Sequence, residues 1–146
     1  MATDMTLFSV AALLRQGRGL DHLATALTVL AVAGALAQAW LAPPNPWLLA
    51  WSAALLVLGL LEKYWALRVA FDAELFQRLA DDPQALAEKT RDLDQALVSL
   101  GLLAPTRTAR PWPERTRGAL ALLRRQALAV GAQALLTLGL LVSFAG

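Results

Sequence analysis

Two long stretches of this chain carry no charged side chain, one from Leu23 to Leu61 and one from Gln126 to Gly146. A bilayer core of roughly 30 Å is crossed by about 20 apolar helical residues, so together they hold room for three crossings. A water-soluble domain is the poorer expectation. Only 16% of the residues are charged and 58% are hydrophobic, against roughly 25% and 45–50% in soluble domains. The fold class expected is an all-α integral membrane protein with three transmembrane helices and a cytoplasmic helical hairpin between the second and third.

The boundaries follow from breakers and charges. Residues 1–21 form an N-terminal arm, in which apolar Met5 to Leu14 is too short to span and reads as an interfacial helix or docking arm, capped by Thr3 or Asp4. The first span covers 22–42 and stops at the proline turn 43–46, Pro43-Pro44-Asn45-Pro46, where three prolines remove helix donors. The second starts at Trp47 and stays uncharged only as far as Leu61, too short a run to cross alone. It is therefore expected to continue to about residue 67, with Glu62 and Lys63 reaching toward headgroups or a protein neighbour. The third span, within 118–146, follows Arg124-Arg125 and leaves no tail beyond Gly146. Trp40, Trp47 and Trp51 cluster at the turn, while Tyr64 and Trp65 stand one bilayer thickness away, as interfacial belts would.

Orientation follows from the cations. Arg15 and Arg18 precede the first span, and the other eleven of the 13 Lys/Arg lie between Lys63 and Arg125. The positive-inside bias puts the N-terminus and the segment 62–125 in the cytoplasm, with the turn and C-terminus outside. The rival is a cleaved secretory signal ending near Ala37-Gln38-Ala39. It is set aside because the basic residues lie far from Met1 and the apolar run is long for a signal core. Arg outnumbers Lys 11 to 2 in an Ala- and Leu-rich chain, which points toward a bacterial inner membrane.

Residues 68–117 are expected to hold the hairpin and a basic, Pro-rich loop. Leu67, Phe71, Leu75 and Leu79 recur every fourth residue, flanked by Arg68/Asp72 and Glu74/Arg78 at i, i+4. Asp81-Asp82-Pro83 ends that helix and caps the next, which carries Leu86, Leu93, Leu97 and Leu100 and stops at Gly101. From Leu102 to Arg117 prolines alternate with arginines, a loop expected beside anionic headgroups or serving as a plain connector, with Trp112 as an interfacial anchor.

No catalytic, metal or cofactor motif stands out. The chain has no Cys and one His, which excludes disulfides, thiolate chemistry and Cys-based metal sites. A net charge of +2 gives no support to a nucleic-acid partner. Gln133, inside the third span, is expected to bond across a helix interface. Glu62 is expected to pair with Arg124 or Arg125 at the inner boundary. Small residues mark packing or partner faces: Ala31, Ala35 and Ala39 on the first span, and Ala127, Gly131, Gly139 and Ser143 on the third.

The function expected is a non-catalytic accessory or scaffolding subunit of a larger inner-membrane complex, partnered by other membrane subunits or copies of itself. One alternative is a homo-oligomeric pore lined by Gln133, Thr137, Gln38 and Ser52. Another is a redox-complex anchor in which His22 holds a cofactor with help from another subunit.

Overall fold

A computed structural model describes residues 2–41, 43, 45–81, 86–108 and 110–145. Among these the chain is helical, with no strand. The helices are α1 (Ala2–Arg15), α2 (Gly17–Leu41), α3 (Pro46–Ala80), α4 (Leu86–Ser99) and α5 (Trp112–Ala145), with a short 3-10 turn at Pro105–Arg107.

Local chemistry accounts for the ends. The Asn45 side chain accepts a hydrogen bond from the Trp47 backbone N–H at 3.0 Å, and Pro46 takes the first helical position, where its missing donor is harmless. At the end of α4, Gly101 adopts φ 69°, and the Leu102 and Gly101 N–H groups donate back to Leu97 and Val98 at 2.9 and 3.0 Å. This double bond pattern closes a helix through a left-handed residue. Between α1 and α2 only Gln16 breaks the line, beside two poor helix formers, Gly17 and Gly19.

Three rods result: the α1–α2 line, α3 and α5. The 35 residues of α3 and 34 of α5 measure about 50 Å at 1.5 Å per residue. Contacts fix their directions. Gly17 meets Gln126 and Ala24 meets Gln133, so α2 and α5 run parallel. Glu62 meets Gln126 and Trp51 meets Leu136, so α3 runs against both.

The inward positions step by three and four. On α2 they are residues 17, 21, 24, 28, 31, 35 and 38, and on α3 they are 52, 55, 59, 62, 66, 69, 73, 76 and 80, all buried or half-buried. A repeat of this kind keeps one seam facing the partners along slightly supercoiled helices.

What the seam contains changes along the rods. From the middle of the rods toward the 43–45 turn it buries Ser52, Glu62, Gln126, Gln133 and Thr137 together with Ala24, Ala31, Leu55, Ala129 and Val130, while Val29, Leu36, Leu60, Leu128, Leu135 and Leu138 face outward. Toward α4 it buries Leu7, Val10, Ala11, Leu14, Val69, Ala73, Phe76 and Ala119. Among the described residues two helical stretches are long and apolar enough to cross a membrane: Met5–Trp40, 36 residues whose most apolar window has mean hydropathy 1.7, and Trp112–Val142, 31 residues whose most apolar window has mean hydropathy 1.4. Only 11% and 28% of their most apolar windows are buried, unlike the core helices of a soluble domain. These two helices are compatible with a membrane location.

Three expectations are corrected. The stripe at Leu67, Phe71, Leu75 and Leu79 is not the buried face: Leu67 is 74% and Phe71 47% exposed, and Val69, Ala73 and Phe76 turn inward instead. A step of four residues advances about 40° beyond a full turn, so such a stripe winds around the helix and reaches the core only at Leu79. Second, α4 lays little against α3, and the core that α3 builds there is covered by α1, so the short arm docks as a helix of the bundle. Third, α5 starts at Trp112, taking over residues expected in the basic loop, with Pro113 tolerated in its first turn.

Candidate functional site: a polar seam inside the bundle

At the middle of the rods, Glu62 is fully buried between α2 and α5. The Gln126 amide explains how: Nε2 donates to Glu62 Oε1 at 2.7 Å and to the Gly17 carbonyl at 2.9 Å, tying all three rods at one level. Half-exposed beside it, Lys63 donates to the Asp21 carboxylate and the Thr25 hydroxyl. One helix repeat toward the turn, Gln133 occupies the equivalent place. Its Nε2 donates to Thr28 Oγ1 at 2.8 Å and lies 3.4 Å from the Ala24 carbonyl and 3.5 Å from the Leu55 carbonyl. The Gln133 carbonyl accepts from Thr137 Oγ1 at 2.8 Å, and Trp51 Nε1 donates to the Leu136 carbonyl at 2.8 Å.

Gly59 makes this junction possible. A Cβ there would collide with Thr28 Oγ1, so only a bare backbone lets α2 and α3 close on Gln133. Among the described residues Glu62 Oε2, Gln126 Oε1 and Gln133 Oε1 are buried without a hydrogen-bond donor. The seam therefore specifies register through its amide donors while leaving acceptor capacity enclosed.

A second polar contact lies toward α4. Arg115 Nη2 donates to both Asp94 carboxylate oxygens at 2.8 and 2.7 Å, a largely buried pair that moors α4 to α5. The guanidinium also lies over the Trp112 ring, 5.4 Å from its centre, and Trp112 meets Phe76 edge-on at 5.7 Å. Trp112 is thus packed on the core, where an interfacial anchor was expected. Glu74, expected to pair with Arg78, approaches Arg18 at 3.4 Å in an exposed contact. Burial pushes the half-buried Asp72 carboxyl above its ordinary range, and Arg68 opposes that rise.

The sequence-derived positions divide. Gln133 does bond across a helix interface, to α2. Glu62 takes Gln126 as its partner, while Arg124 and Arg125 point outward and are exposed. The reason is angular: Gln126 shares the inward stripe with Gln133 and Thr137, and the two arginines preceding it do not. Ala31 is buried, Ala35 half-buried and Ala39 exposed. Gly131 is exposed with open space around it, and Gly139 lies against the Trp51 ring. The Ser143 side chain lies outside the described residues. His22 is exposed. Ser52 and Thr137 face the interior of one chain's bundle, and Gln38 Nε2 donates to the Asn45 carbonyl at 3.2 Å. The residues that sequence reasoning passed over are Gln126, Gly59 and the Asp94–Arg115 pair. Seven-residue spacing between Gln126 and Gln133 was the available signal for the first.

Chemically, the seam can hold helices in register and accept hydrogen bonds. Among the described residues no group of three His, Asp or Glu stands together as a metal site would require. Comparison with protein-family models, with curated proteins and with solved structures finds no match to this chain.

Proposed function

We propose that this chain is an integral membrane protein with three spans, formed by α2, the first part of α3 and the second part of α5. In this topology the α4 end and the N-terminus are cytoplasmic, and the proline turn and Gly146 are outside, across a bacterial inner membrane. The support is the arrangement of the turn half, with amides and a carboxyl inside among mostly small residues and many leucines outside. Lipid provides no hydrophobic drive between helices, so small and polar residues hold them together. Both α3 and α5 are longer than a hydrocarbon core is thick, and their excess length then projects on the side that carries the cations.

Within that membrane the chain acts as a non-catalytic accessory or scaffolding subunit of a larger complex. One observation carries this reading. Leu67 and Phe71 lie exposed on α3 beyond the Asp21–Lys63 level, where the proposed topology puts headgroups and water. An apolar stripe at that place fits the apolar face of a partner helix.

The test is purification from native membranes in a gentle detergent. The expected outcome is a stoichiometric membrane-protein partner that is lost on Leu67→Ser/Phe71→Ser while the variant chain stays folded and membrane-bound. Recovery of the wild-type chain alone, as a monomer, overturns the subunit reading. Topology is checked separately by reporters: one fused after Gly146 should behave as external, and one inserted near residue 104 as cytoplasmic.

A further inference from the structure

Beside the α1–α2 break, a hollow of about 150 Å³ opens between Leu14–Asp21 and the facing turns of α3. Its apolar lining mixes Leu14, Leu67 and Val69 with Ala66, Ala70 and Ala73, whose small side chains leave space that larger ones would fill. Its rim is cationic. Arg15, Arg18 and Lys63 line it against one carboxylate, Asp21, and Asp21 is already engaged by Lys63. Arg18 is 67% exposed at its side chain and held only by the 3.4 Å contact with Glu74, a surface pairing of the kind that contributes little. Arg15 is exposed as well, so both arginines can turn their donors toward a phosphate, which guanidinium groups grip through paired N–H groups.

The surroundings identify the kind of ligand. Leu60, on the stripe of α3 that also holds Lys63, Leu67 and Ala70, is 70% exposed, so apolar surface continues from the hollow toward the turn end. A cationic rim, an apolar lining and exposed apolar surface continuing from it match an amphiphile, not a free anion. Resting on the three-span topology, which sets this hollow at the inner headgroup level, we propose that it seats the phosphodiester of one anionic phospholipid of the inner leaflet. Arg15 and Arg18 hold the phosphate, and an acyl chain lies against the exposed apolar surface at Leu60.

The test is native mass spectrometry of the full chain released from detergent, titrated with phosphatidylglycerol and, separately, phosphatidylcholine. One phosphatidylglycerol is expected to bind in preference to phosphatidylcholine. Arg15→Gln/Arg18→Gln should weaken it about 30-fold, the combined effect of two surface cations on an anionic lipid. Arg124→Gln/Arg125→Gln, which alters exposed arginines outside the hollow, should leave it unchanged. Ala70→Leu, which fills the hollow with both arginines intact, should also remove it and serves if the double variant fails to fold. Equal weakening by both arginine pairs, retention in Arg15→Gln/Arg18→Gln, or displacement of the lipid by millimolar inorganic phosphate overturns the proposal. Flotation with vesicles separates the two levels: a wild-type chain that does not float sinks the topology itself, whereas one that floats without preferring phosphatidylglycerol sinks only the lipid site.

Discussion

The two ends of this bundle share helices and register but differ in what they bury. In the half around α1, α3 and α5 place Val69, Ala73, Phe76 and Ala119 on the seam against Leu7, Val10 and Leu14. From the middle toward the proline turn, the same seam of the same helices sets Ser52, Glu62, Gln126, Gln133 and Thr137 among mostly small apolar residues, Ala24, Ala31, Ala129 and Val130, with Leu55. The inward step of three and four residues is unbroken where the content changes. A repeat thus decides which positions meet, and the surrounding solvent decides what those positions are made of. Water rewards burial of apolar surface. Hydrocarbon does not, and in it close backbones and shared hydrogen bonds carry association.

Substitutions sharpen that contrast, beginning with the most severe. Gly59→Leu drives a side chain into Thr28 and should leave no folded bundle, seen as loss of a cooperative thermal melt in detergent. Gly131→Leu, with open space around it, should melt as the wild type does. Phe76→Ala empties the apolar half and should lower stability by about 3–5 kcal/mol in denaturant titration. Leu135→Arg introduces a charge on the outward face of α5 and should cost about 2.5–3.5 kcal/mol in a translocon insertion assay. An exposed position in water would change by only about 0.5 kcal/mol, so a small effect there breaks the two-solvent comparison.

Gln133→Leu tests the polar half from inside. It removes the bond to Thr28 together with the unpaired Oε1, so the net loss should be about 1 kcal/mol. A loss as large as that of Phe76→Ala would show that the polar seam, not close backbone approach, dominates. The smallest effect is expected at Asp72, whose carboxyl is pushed up by burial. A raised carboxyl pKa means that the folded state disfavours the charged form. The penalty is absent when both states are protonated and complete above the folded pKa. Asp72→Asn should therefore stabilise slightly at neutral pH, with the gain fading as acid protonates the native side chain, as read from melting temperature against pH.

Much of this architecture was legible before any coordinates. The α3 end at Asp81, the α4 end at Gly101 and the start of α3 behind Asn45-Pro46 all followed from capping and proline chemistry, which acts within a few residues. The span-sized stretches followed from missing charge. Less was legible at the site. Gln133 stood out because it is polar in an uncharged run, whereas Gln126 was hidden as the first residue after Arg124-Arg125. The Leu67–Phe71 stripe misled because leucine content says nothing of the direction in which a side chain points. Asp94 and Arg115 are far apart in sequence, and only the return of α5 past α4 brings them together.

What the sequence determined by itself, then, is where capping and proline chemistry stops a helix, as at Asp81 and Gly101, and which stretches carry no charge. These are properties of neighbouring residues and of local backbone chemistry. What the tertiary structure decided is the rotation of each rod about its axis, and with it the pairing of Glu62 with Gln126 and the docking of α1 on α3. That rotation comes from the packing of three surfaces at once, with Gly59 set close against Thr28, and no single helix encodes it.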